Sequence, residues 1–163
     1  MIATRAALAA IGPNGAVSSA FVFAYAPETL LWDFERGTSG VVETVELTFV
    51  LDATDALEAA DATAQRLGLH PSLAQLRSLF AQPWLVLSWG PARTLPIELR
   101  AASVTELAFD AALNPIRAEV RLSANVLTQS ATDAAVAGFV QRAEAASSRL
   151  ATLYAAGPLP ALG

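Results

Sequence analysis

A mainly β domain with flanking helices, α+β in class, is what the sequence predicts, and three observations predict it. Val41 to Leu51 and Ala118 to Val126 alternate apolar and polar residues with a period of two, as half-buried strands do. Trp84 to Trp89 is apolar on both faces, as a strand covered from two sides is. Two stretches switch to helical spacing, Ala56 to Leu67 and Ala131 to Ala156.

The elements follow in order. Thr4 to Ile11 and Ala20 to Ala26 flank Gly12–Pro13–Asn14–Gly15, a turn signal that favours a hairpin. Phe21, Phe23 and Tyr25 share one strand face, and Pro27, with no N–H to donate, ends that ladder. Leu30 to Phe34 continues extended with Trp32 and Phe34 aligned, and Gly37 to Gly40 is a loop. In the next strand Val41, Val45, Leu47, Phe49 and Leu51 form one face, with Glu43 as an exception at its rim. Thr54 or Asp55 is expected to cap a helix over Ala56 to Leu67, which Gly68 stops. Leu69 to Phe80 carries one or two helical turns entered at Pro71–Ser72.

Trp84 and Trp89 differ in parity, so they face opposite sides of their strand. That excludes one aromatic platform and gives two packing anchors. Along Ile97 to Phe109 the alternation slips phase, which places a bulge at Ala101 to Ser103. Asn114–Pro115 turns the chain into the last strand. There Ala118, Val120, Leu122, Ala124 and Val126 face inward and Arg117, Glu119, Arg121, Ser123 and Asn125 face outward, so a one-residue slip would bury charge. Thr132 or Asp133 caps the final helix, and Gly157–Pro158 stops it.

Composition bounds the function. The 163 residues are 54% hydrophobic, and mean hydropathy is +0.45. No run approaches the ~20 apolar residues of a membrane-spanning helix, and the N-terminus lacks a secretory layout. Apolar surface beyond what one small domain can hide is therefore expected to be covered by other protein chains. A net charge of -5 argues against a dedicated nucleic-acid binder. All ten basic residues are arginine and there is no cysteine, hence no disulfide or thiolate metal site.

Catalytic signals are sparse. His70 is the single histidine, beside Pro71 in a turn-like context, and no phosphate-binding loop or nucleophile elbow occurs. Glu43 with Glu46, and Glu98 with Glu106, are the carboxylate pairs that acid–base chemistry would need; solvent-facing acids on strands are the commoner explanation. No enzyme activity, cofactor or metal is expected. A small-ligand β-barrel is the weaker rival, because the polar residues lie on the outer faces of strands.

Four motifs in order resemble the tube-protein domain of contractile injection systems, over roughly residues 4 to 128. They are FAYAPE at Phe23–Glu28, VELTFVLDAT at Val45–Thr54, PWLVLSWG at Pro83–Gly90, and FDAALNPIRAEV at Phe109–Val120. Their marker positions are Tyr25, Pro27, Pro83, Trp84, Trp89, Gly90, Phe109, Asp110, Asn114, Pro115 and Arg117. Ala26 departs from the asparagine usual there, and the LysM module of many members is missing. The resemblance implies a two-sheet β-barrel or sandwich of the tail-tube type over residues 1–128, followed by a C-terminal helix and tail over 129–163. It implies a structural ring subunit of a phage-tail-like particle, assembled in the cytoplasm and joining inner tube to spike hub at the baseplate. The partners it implies are copies of the chain in a closed, six-fold ring, with tube, spike-hub and other baseplate proteins, and neither nucleic acid nor membrane. Arg117, Glu119 and Arg121 are its candidates for lumen or inter-ring contacts. A main tube or terminal cap subunit is the alternative within the same class.

Overall fold

The structure, a computed structural model, describes residues 6–23, 27, 29–38, 40–90, 93–128 and 133–153, with side chains to residue 146. Seven strands form one antiparallel sheet: β1 (Ala6–Ile11), β2 (Val17–Val22), β3 (Leu30–Gly37), β4 (Gly40–Asp52), β5 (Leu85–Trp89), β6 (Thr94–Phe109) and β7 (Pro115–Val126). Four helices accompany them: α1 (Thr54–Glu58), α2 (Ala62–Leu67), α3 (His70–Phe80) and α4 (Ala134–Leu153). The strand order is β2-β1-β5-β6-β7-β4-β3. Among the described residues no helix is long and apolar enough to cross a membrane.

Where the resemblance implies two sheets, the hydrogen bonding makes one. That sheet is strongly curled. Four strands separate β2 from β4 in the order, and a flat sheet would set them about 24 Å apart. Yet Phe23, just beyond β2, stacks on Phe49 of β4 with ring centroids 4.3 Å apart. The concave side holds the main core, built from Leu8, Phe21, Phe23, Val45, Leu47, Phe49, Leu87, Ile97, Val120 and Leu122. Helix α3 closes it with Leu76 and Leu79. It also blunts the outer edge of β2, where Gln75 Nε2 donates to the Ala20 carbonyl at 2.6 Å.

Strand β5 explains its doubly apolar sequence. Leu85 and Leu87 enter the main core, while Val86 enters a second cluster with Ala7, Ala9, Phe139, Ala143 and Ala146. That second cluster is the convex side under α4. Asp133 caps α4, its Oδ1 accepting from Ala135 N at 2.9 Å. Thr132, the tail beyond Leu153, Tyr25 and Ala26 lie outside the described residues.

The expectations for the helical stretch need three corrections. The single helix over Ala56 to Leu67 is two, because Ala60 adopts a left-handed φ of 56° and Asp61 starts a new helix by accepting from Ala64 N at 2.8 Å. Neither Thr54 nor Asp55 caps α1; Asp52 Oδ1 instead accepts from Thr54 N at 2.8 Å and from the Thr54 hydroxyl. The third helix is fuller than one or two turns, spanning 11 residues from His70. Gly68 does end α2, with φ of 56° and its N–H on the Ala64 carbonyl.

The bulge in β6 falls one residue earlier than expected. The register shifts between Leu99 and Ala101, and again around Leu107. The extra residue Arg100 moves the inward set from Ile97 and Leu99 to Ala102, Val104 and Glu106. These oppose the buried Leu122, Val120 and Ala118 of β7. The apparent phase slip of Val104 in the sequence is this bulge: Val104 faces the same side as Ile97.

Candidate functional site

The features that stand out are two unpaired strand edges and one polar sheet face. Strand β5 pairs with β6 only from Thr94 to Ile97. Beyond that point β6 bonds to β7 alone, so Glu98 to Phe109 is an edge. Strand β3 is the terminal strand of the sheet and pairs with β4 in unbroken register from Leu30 to Gly37. Both edges carry exposed apolar side chains: Leu31 and Phe34 on β3, Val104, Leu107 and Phe109 on β6. Val41 and Val42, at the start of β4, extend the exposed apolar surface around the β3–β4 hairpin.

The concave side of β3 carries a stack. The Trp32 and Phe34 rings lie 5.4 Å apart, and the Arg93 guanidinium sits 5.1 Å from the Trp32 ring centroid. A cation over an indole face is attracted by the ring quadrupole. The Trp32 Nε1 donor is shielded from solvent and has no acceptor, an uncommon state for a buried polar group.

The convex side of the same strands is polar. Thr48, Arg121 and Ser103 align across β4, β7 and β6, and Glu46, Ser123 and Ala101 form the next row. With Thr29 and Leu31 these residues line a shallow depression of about 420 Å³. Arg121 Nε pairs with Glu119 Oε1 at 3.1 Å, and the Arg121 side chain is 73% exposed. Arg117 is exposed, opposite Asp52 on one neighbour and Ala108 on the other. The charged row Arg117, Glu119, Arg121 therefore follows the outward face that the alternation specifies.

The other marker residues are structural. Trp84 packs on Phe139 under α4, centroids 5.5 Å apart, while Trp89 packs on the concave core, so the parity argument holds. Pro83 is exposed and Pro27 half-buried. Gly90 takes a φ of 79° in the turn where Trp89 N donates to the Arg93 carbonyl. Asp110 accepts from Ala112 N at 2.8 Å, Asn114 N at 2.9 Å and Asn114 Nδ2 at 3.0 Å. The bonds from Asn114, its side chain first, hold the Asp110 carboxyl below its ordinary value. Asn114 Nδ2 also donates to the Arg66 carbonyl at 3.0 Å, and Leu69 N donates to the Pro115 carbonyl at 2.7 Å. Phe109 to Pro115 thus forms a turn latched to the α2–α3 corner.

Neither carboxylate pair forms a shared site. Glu43 lies opposite Phe34 on the concave side, whereas Glu46 lines the convex depression. Glu98 pairs with Asn125 on the convex side, and the bulge turns Glu106 to the concave side opposite Ala118. Among the described residues no group of three or more histidine and acidic side chains could hold a metal ion. His70 starts α3, and the convex depression is lined by no histidine.

Sequence reasoning missed Arg93 and the hairpin residue Val42, and it set Val41 on the apolar face of β4, where the structure leaves it exposed. The consecutive valines broke the alternation and were the available signal. No protein-family model matches the chain, and no curated protein matches it in sequence.

Proposed function

We propose that the chain is a structural ring subunit of a phage-tail-like contractile particle, a rigid sleeve piece joining inner tube to spike hub. One observation carries the reading. The slab β6-β7-β4-β3 ends in two unpaired strand edges of the same polypeptide, both lined with exposed apolar side chains. Unpaired edges invite pairing with another chain and are normally covered or interrupted. A chain bearing two such edges is suited to head-to-tail association, which closes into a ring when the rotation permits.

The remaining features support the same reading. The convex face, with its hydroxyls and the Arg121–Glu119 pair, is the wettable side that a hollow lumen needs; the charged row Arg117, Glu119 and Arg121 would line it. The concave side is filled by aromatic and aliphatic side chains, Phe23 stacked on Phe49 among them, which counts against a ligand-holding barrel. Helix α4, laid over the opposite side of β1 and β5, favours an adaptor at one level of the particle over a unit repeated along a tube.

Size measurement tests this. The purified chain, alone and mixed with tube and spike-hub proteins encoded alongside it, is expected to give closed rings by mass photometry and electron microscopy. A monodisperse single subunit at high concentration, with no ring when those partners are added, overturns the proposal. Copy number in a purified particle separates one adaptor ring from many tube rings.

A further inference from the structure

The two edges fit each other in one register, and we infer that β3 of one copy pairs antiparallel with β6 of the next. In that register Phe34 stands opposite Val104, and Trp32 with its stacked Arg93 stands opposite Glu106. The inference rests on the ring reading and specifies its contact.

Successive strands along β6-β7-β4-β3 are antiparallel, so β6 and β3 of one chain run in opposite directions. Copies related by rotation about an axis along the strands therefore present β3 to a neighbouring β6 in antiparallel sense. Residues on a common face must meet, which restricts the register to steps of two. On the concave face β3 offers Trp32, Phe34 and Arg36, and β6 offers Ala102, Val104 and Glu106. The register shifts of β6 at Leu99/Ala101 and Glu106/Ala108 leave the regular stretch Ala101 to Glu106 between them. Matching this stretch to Trp32 through Gly37 pairs six residues of β3.

The chemistry selects that match among its neighbours. Phe34 is 60% exposed and Val104 42% exposed, and the pairing covers both. The Glu106 carboxylate arrives over the Arg93–Trp32 stack, supplying a countercharge and the acceptor that the shielded indole Nε1 lacks. On the convex face Asp33 meets Thr105 and Glu35 meets Ser103, carboxylates against hydroxyls. Shifting by two residues in one direction sets Arg36 against Arg100; shifting in the other sets Phe34 against Glu106. Two β3 strands pairing about a two-fold axis at Asp33 or at Phe34 would set Asp33 against Asp33, or Asp33 against Glu35. Like charges directly opposite are destabilising, which disfavours those two registers.

The cysteine-free sequence allows a clean test. Separate chains carrying Phe34→Cys and Val104→Cys are mixed under assembly conditions and oxidised gently. The expected result is a disulfide-linked dimer that requires both variants, since directly opposed strand residues lie within disulfide reach. Assembled rings with no mixed disulfide overturn the register, as does a homodisulfide from either variant alone. Failure of the unaltered chain to assemble under the same conditions overturns the ring reading itself. A charge exchange adds an independent readout. Glu106→Arg is expected to raise the concentration needed for assembly by roughly tenfold or more. Combining it with Arg93→Glu in the same chain is expected to restore assembly. Unaltered assembly by the single variant, or no restoration by the double, counts against the contact.

Discussion

Gly68 sits where an added Cβ would lie 2.4 Å from the Pro115 carbonyl oxygen, and its φ is 56°. Both the space and the backbone conformation exclude a side chain. Gly68→Ala is expected to lower stability by about 1–3 kcal/mol, read as a shift in the urea midpoint; a shift within error would mean that the α2–α3 corner moves freely away from the β6–β7 turn. Asp110 acts in the same corner. Its native hydrogen bonds hold the carboxyl below the ordinary 3.8, so its stabilisation is present above that value and is lost as pH falls through the lowered folded value. Asp110→Asn should therefore flatten the decline in stability as pH falls below about 4, and parallel curves for the two proteins would contradict it. The turn at Asn114–Pro115 was legible from residue types. The latch was not, because the contact of Asn114 with the Arg66 carbonyl joins residues 48 positions apart.

At the scale of elements, alternation located the strands well wherever the core specified one face. It reported β6 only through a defect, because an inserted residue reverses parity and Arg100 carries no mark distinguishing it from Ala101. Helix α1 shows the opposite limit. Good helix formers ran through Ala59 and Ala60, yet a left-handed φ at Ala60 and the cap at Asp61 divide the stretch. The local cap at Asp61 outweighed helix propensity there. Helix α4 depends on packing in a simple way: among its described side chains Phe139 is the largest that is buried, 2% exposed and against Trp84. Phe139→Ala is expected to cost about 3–5 kcal/mol. Hydrogen exchange should show whether that loss is local: rapid exchange in α4 with β4 and β7 still protected is the expected pattern. Protection of α4 at the wild-type level would show that its small residues alone hold it.

For the molecule as a whole, the surplus of apolar residues in the composition has a location. Part of it is interior, since the curled sheet and α4 together bury both faces of β5. The rest is concentrated on the free edges and the β3–β4 hairpin, at Leu31, Phe34, Val41, Val42, Val104, Leu107 and Phe109, with Leu113 in the β6–β7 turn. Composition announced the excess but could not place it, because which strands are edges depends on the order β2-β1-β5-β6-β7-β4-β3, and that order is non-local. An apolar side chain that contributes to association but not to the fold should separate the two properties on substitution. Phe34→Lys replaces an exposed ring on an unpaired edge with a charge, so unfolding free energy should move by no more than about 1 kcal/mol. Assembly should fail over the concentration range where the unaltered chain forms rings, because a charge on an edge strand opposes further pairing. Thermal unfolding and mass photometry on the same samples separate these effects. Unchanged ring formation would show that the β3 edge takes no part in it, whereas a large loss of stability would show that the Trp32–Phe34 stack belongs to the core of the single chain.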